Sequence, residues 1–121
     1  MDELVKFLSG AQWQERGQHT SICDDKNLEP ILVKCASEIP LSLEGFGVQV
    51  WRTTGSTRIR EEVAYIIPVS IIEGTPRILG GPSLVPTKPF YFEKQTVISG
   101  CLYYIVAKPP ATKVSENNKE S

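Results

Sequence analysis

TRIREEVAYIIPVSII, residues 57–72, is the stretch whose reading decides the fold. Ile59, Val63, Tyr65, Ile67, Val69 and Ile71 share one parity, and side chains alternate between faces along a strand. A long β-strand is therefore expected, with these residues on its core face. The other parity starts charged at Arg58, Arg60 and Glu62 and turns apolar at Ala64, Ile66 and Ile72. Its second half is expected to be covered on both sides. Pro68 has no N–H to give to a ladder, which predicts an edge position or a bulge.

Toward the C-terminus, residues 73–76 (EGTP) read as a turn and residues 77–79 as a short return strand. Residues 80–89 hold two glycines and three prolines, with Leu84 and Val85 the bulky apolar side chains, and read as an extended arm. Residues 90–92 and 97–98 flank a turn at Lys94 and Gln95. Residues 97–107 are apolar on both parities, as in a central strand. Pro109 and Pro110 stop it, and residues 111–121 form a polar tail with only Val114 to bury.

Toward the N-terminus, residues 46–53 set Phe46, Val48 and Val50 on one face and Gln49, Trp51 and Thr53 on the other. Thr54, Gly55 and Ser56 then predict a hairpin turn. Residues 31–36 (ILVKCA), between Pro30 and Pro40, read as a further short strand, and residues 11–29 as mostly irregular. Leu4, Phe7 and Leu8 have helical spacing, which gives a short amphipathic helix ending near Gly10. The expected fold is mainly β: a small antiparallel β-sandwich or partly open barrel of five to seven strands, with one short N-terminal helix. Residues 1–110 make one domain and residues 111–121 the tail.

Charge narrows the function classes. Thirteen basic and fourteen acidic residues leave a net charge of -1, where broad electrostatic binding to nucleic acid needs a positive excess. Cys23, Cys35 and Cys101 are an odd set without CxxC spacing, which points to a reduced compartment. The acidic start, broken by Lys6, is unlike a signal peptide, and no apolar run reaches the roughly 18 residues of a membrane span. A cytoplasmic protein without membrane contact is expected.

No catalytic residue is assigned, and no metal or cofactor. His19, Cys23, Asp24 and Asp25 carry ligand chemistry, but at a spacing that matches no usual site. His19 is the only histidine and hence the only imidazole base for a thiol nucleophile, while Cys35 and Cys101 sit in apolar runs as small core residues do. No GxSxG elbow occurs, and Gly80, Gly81, Pro82 and Ser83 lack the phosphate-loop pattern. A non-enzyme is the favoured reading.

Two sets of residues point to binding. Trp51, Arg52, Arg58 and Arg60, with Tyr65 nearby, have the composition of a surface that stacks on single-stranded nucleic acid. Glu61 and Glu62 interrupt it, and cross-strand ion pairs explain the same residues, so nucleic acid is disfavoured as a partner. Pro82, Leu84, Val85, Pro86, Pro89, Phe90 and Tyr91 form the second set: a pre-stiffened apolar arm running into an aromatic strand, suited to a protein partner or a second copy. The leading expectation is a non-catalytic interaction or structural subunit of a larger assembly, such as a virion component, binding through strand edges, this arm and the tail.

Trp13, Arg16 and His19 after the short helix, with Gly47, Val48, Gln49, Val50 and Trp51 later, loosely resemble the opening of the lipocalin-like bilin lyases at different intervals. The resemblance implies a sheet curled round an apolar molecule. The alternative drawn from it is a small lipocalin-like carrier or lyase, although the chain is short for a full calyx.

Overall fold

Leu4 and Leu8 lie one helical turn apart on α1 (Asp2–Ser9), and both are fully buried against a sheet. Gly10 caps the helix, as its position in the sequence predicts. A computed structural model describes residues 1–59, 61 and 63–110, and the expected tail lies outside them. After α1 come β1 (Trp13–Glu15), β2 (Thr20–Cys23), α2 (Leu28–Cys35) and a 3-10 turn (Ala36–Glu38). Then follow β3 (Gly47–Thr54), β4 (Thr57–Ile59), β5 (Ala64–Ile78), β6 (Phe90–Phe92) and β7 (Thr96–Lys108).

The fold is mainly β, with the short N-terminal helix expected. Among the described residues seven antiparallel strands make one open sheet, ordered β1-β2-β3-β7-β5-β6 with β4 also on β7, in place of two stacked sheets. Strand β7 is central, as its apolar faces require. Ile105 and Ala107 face a core shared with Leu4, Leu8, Val50, Ile67 and Val69. Leu102, Tyr104 and Val106 face an opposite core with Ile59, Ile66, Ile78, Leu84, Phe92 and Ile98. The two helices cover the first core.

Several local expectations are corrected. Residues 31–36 are not a strand, because Leu28, Ile31, Leu32 and Cys35 also have helical spacing and form the inner side of α2. Pro30 sits in the first turn of that helix, where a missing N–H costs little. Residues 11–29 are not mostly irregular: β1 and β2 pair with Trp13 opposite Cys23 and Glu15 opposite Ser21.

Thr54, Gly55 and Ser56 do not make a hairpin. Thr54 pairs with Cys101 and Thr57 with Ile98 in one unbroken register, so β3 and β4 are two stretches of the same path along β7. The periodic stretch 57–72 is correspondingly split between β4 and β5. Tyr65, Ile67 and Val69 join the helix-side core, whereas Val63 and Ile71 are exposed. On the other parity Ala64 and Ile66 are buried but Ile72 is not, so cover on both sides ends before the bow described next.

Residues 73–76 do not turn the chain back. From Pro68 to Arg77 the chain takes nine residue steps, while their partners Tyr104 and Ser99 are five steps apart, so four residues are extra. The excess is spread along this bow, one residue between Pro68 and Ser70, one between Ile71 and Glu73 and two between Glu73 and Arg77, with Gly74 in the last at a φ of 75°. The first irregularity falls between Pro68 and Ser70, as the missing proline N–H predicts. Opposite the bow, Gly100 has a φ of 133°, and a Cβ there would lie 2.6 Å from the Cα of Pro76. Only glycine allows this approach.

Candidate functional site

The arm between β5 and β6 folds back along β5. The Leu84 amide donates to the Pro76 carbonyl (2.9 Å) and the Thr87 amide to the Pro68 carbonyl (2.8 Å), so the arm ties the two ends of the bow together. The Ile78 amide donates to the Pro82 carbonyl (2.9 Å) and the Lys88 amide to the Val85 carbonyl (3.0 Å). Leu84 is only 4% exposed and plugs the core opposite the helices, so it anchors the arm and is not presented to a partner. Pro82 and Val85 are exposed, Pro86, Pro89 and Phe90 half-buried, and Tyr91 exposed with its hydroxyl donating to Glu93 (3.1 Å). Ile71, Ile72, Leu79, Val85 and Tyr91, all large and exposed, belong to this one β5–arm–β6 unit. Thr87, at a φ of 68°, holds a left-handed backbone that β-branched residues avoid.

On the helix side, an open groove of 1080 Å³ runs between α2 and the chain leading into β3. Leu28, Leu32, Ile39, Leu43, Phe46 and Val48 are among the residues lining it. The groove does not reach the rings of Trp13 and Tyr65, which pack against other aromatic side chains. Trp13 stacks on Tyr103 (5.7 Å between centroids), and Tyr65 packs against Tyr91 (4.9 Å) and Phe46 (6.0 Å).

Strand alternation divides the residues read as a nucleic-acid surface. Arg52 faces the helix side, its guanidinium 4.6 Å from the Trp13 ring centre, a cation–π contact. Trp51 faces the other way and donates from its indole N–H to Gln49 (3.2 Å). Arg58 donates to Gln95 (3.3 Å), and Arg60 lies outside the described residues. Arg52 and Arg58 share one parity of the continuous β3–β4 path, opposite Tyr103 and Val97, and Trp51 falls on the other, so the stacking ring and the two cations are on different faces. The residue that joins Arg58 is Arg16, from the β1–β2 connection.

Arg16 and Arg58 line a small cavity of 60 Å³ together with Trp51, Thr20, Thr57 and Tyr104. An adjoining cleft of 390 Å³ shares Arg16, Thr20, Thr57 and Arg58 and adds Gln18, His19, Ser56 and Gln95. Tyr104 is fully buried, and its hydroxyl and the Thr20 hydroxyl are the buried side-chain polar atoms without a partner among the described residues. Burial pushes the Tyr104 phenol far above its ordinary range, so it stays protonated and can donate. The nearby Thr20 hydroxyl offsets a little of that shift without completing a hydrogen bond.

The residues with ligand chemistry do not converge. His19 is exposed, its ring against Gly55, and among the described residues no three His, Cys, Asp or Glu side chains cluster. Asp25 is engaged in a turn, accepting from the Gln12 (3.1 Å) and Asn27 (2.9 Å) amides. Burial raises the Cys23 thiol, opposed by a backbone hydrogen bond from Asp25 and reinforced by the Asp25 and Asp24 charges, which disfavours its thiolate. Among the described residues no helix is long and apolar enough to cross a membrane.

No protein-family model, curated protein or solved structure matches the chain. Its own surfaces carry the functional reading.

Proposed function

We propose that the protein is a non-catalytic interaction subunit that engages a protein partner, or a second copy of itself, through the β5–arm–β6 unit. The supporting observation is the concentration of exposed Ile71, Ile72, Leu79, Val85 and Tyr91 on that one unit. Each is only about half exposed, so leaving it in water forgoes roughly half of the ~1.5–3 kcal/mol that full burial of such a side chain supplies. Exposed apolar side chains of this kind, interspersed along the same unit with the exposed Glu73, Arg77, Lys88 and Glu93, have the composition of a docking surface. Hydrogen bonds at both ends of the arm and the buried Leu84 hold it in place beforehand, so association orders little new chain. A cytoplasmic setting belongs to this proposal, supported by three free thiols.

Photo-crosslinking tests the reading. A photoreactive residue at Ile72 or Val85 is expected to give one discrete adduct, either a dimer of the purified protein or a single larger species in extract of the native source. The same residue at exposed Gln12 gives none. Equal adducts at all three positions, or none at Ile72 and Val85, would overturn the proposal.

The second reading, a small carrier of an apolar ligand, is favoured by the groove beside α2, whose 1080 Å³ exceeds the size of most ligand pockets. Enhanced fluorescence of a lipophilic dye, abolished by Leu32→Glu, is its expected signature. A dye response that Leu32→Glu leaves intact rules it out.

A further inference from the structure

We infer that the open groove between α2 and the chain leading into β3 docks an amphipathic helix of a protein partner, one whose polar flanks are basic. The site is separate from the β5–arm–β6 unit, and it gives the groove a peptide occupant in place of a small apolar molecule. Apolar surface, charge and size each point to that occupant.

Apolar surface lies on both banks. Leu28 and Leu32, four residues apart and so on one side of α2, form one bank, and Leu41, Leu43, Phe46 and Val48 line the other. All six are half-buried, so each keeps surface for an occupant to cover. Val33, also in the lining, is 71% exposed and carries the apolar surface onto the rim. A helix with apolar side chains at i, i+4 and i+7 lays them into such a furrow.

Charge specifies the flanks. The lining holds three carboxylates, Asp25, Glu29 and Glu44, against one ammonium, Lys26, a local excess larger than the net charge of -1 of the entire chain. Ion pairs among the described residues join Glu38 to the N-terminal ammonium, Glu3 to Lys34 and Glu61 to Lys108, and none uses these three. Asp25 accepts from two backbone amides, which bring no cation. Glu29 and Glu44 are exposed, one on each bank, so basic side chains on both flanks of an apolar helix face meet an opposite charge. The same carboxylates repel an anionic lipid surface.

Size agrees. α2 has eight residues and is about 12 Å long. Two turns of a second helix laid beside it, about 10–12 Å across, occupy on the order of 1000 Å³, and the groove holds 1080 Å³. An open groove covers one side of its occupant, as an amphipathic helix requires, whereas small-molecule sites enclose roughly 70–90% of the ligand.

Fluorescence anisotropy of labelled synthetic peptides with the full chain tests the inference. The first peptide, about 14 residues and roughly 20 Å long as a helix, repeats leucines at i, i+4 and i+7 between lysine flanks. The second has glutamate for every lysine, and the third keeps the lysines but carries two central prolines, which break the helix. The lysine helix is expected to bind saturably and at least about tenfold tighter than the other two, with amide NMR shifts at Leu32, Leu43 and Val48. Glu29→Lys combined with Glu44→Lys, both at exposed positions, should reverse the preference toward the glutamate peptide, and Leu32→Glu should remove binding of the lysine helix. No binding of that helix, equal affinity for the three peptides, retained binding in Leu32→Glu, or an unreversed preference in the folded double variant would overturn the assignment. A lipophilic dye that stays in the groove at saturating peptide would make it a small-molecule site. Binding of the lysine helix that appears only when residues 111–121 are deleted would make the tail the occupant, and either result overturns the assignment too.

Discussion

Tyr104 places a phenol in the middle of the central strand, with its hydroxyl buried and, among the described residues, unpaired. Below about pH 10, the ordinary phenol range, folded and unfolded chains both keep this proton and stability does not depend on it. As pH rises above that range the unfolded chain ionises first, because burial raises the folded value, so stability falls progressively. Tyr104→Phe should remove this part of the alkaline loss, seen as a smaller fall in urea midpoint between pH 9 and 11. At neutral pH the variant should be no less stable, since it deletes an unpaired hydroxyl. Gly100 makes the opposite case. Gly100→Ala would force a left-handed backbone onto a side chain and a carbon onto the Pro76 backbone, and should cost about 3 kcal/mol or more in urea unfolding. Neither effect was legible beforehand: in a hydrophobic pattern a tyrosine counts as apolar, and one glycine within an apolar run does not show what crosses it.

Among the elements, those with a single clear period were readable. The alternation of Val48, Val50 and Trp51 in β3, and of Tyr65, Ile66 and Ile67 in β5, corresponds to the two cores. α2 was misread because its apolar run is too short to separate a period of two from one of 3.6, and its proline falls where helices tolerate one. The cleft was hidden for another reason. Arg16 and Arg58 are far apart in sequence and are joined by sheet pairing, β2 to β3 through Thr20–Thr53 and β4 to β7 through Arg58–Val97. The arm offers a test at this scale. Leu84→Ala should cost about 2–5 kcal/mol, as other large-to-small core changes do. It should also make the chain between Gly80 and Pro89 open to limited proteolysis before the rest unfolds. Cleavage no faster than in the parent protein would mean that the backbone hydrogen bonds alone secure the arm.

For the whole molecule, the two cores lie on opposite faces of the same strands. Ile67 and Ile105 serve the helix side while Ile66 and Val106, their neighbours in the chain, serve the other. Peeling away one layer therefore strips the backing from the second, and the domain should unfold as one unit. The tryptophans report this independently, because Trp13 packs with the helix-side core and Trp51 with the opposite one. Trp13→Phe and Trp51→Phe proteins should each show a fluorescence transition at the same denaturant concentration as their far-ultraviolet circular dichroism. Midpoints that separate would divide the molecule into two cooperative units. The strand that links the cores also carries slack. Because the bow in β5 is excess chain tied off at its base by the arm, residues can be added or removed there without sliding any strand past its partner. Length variation among descendants of this gene should gather at the bow, and a peptide epitope inserted beside Gly74 would be displayed without disturbing the sheet.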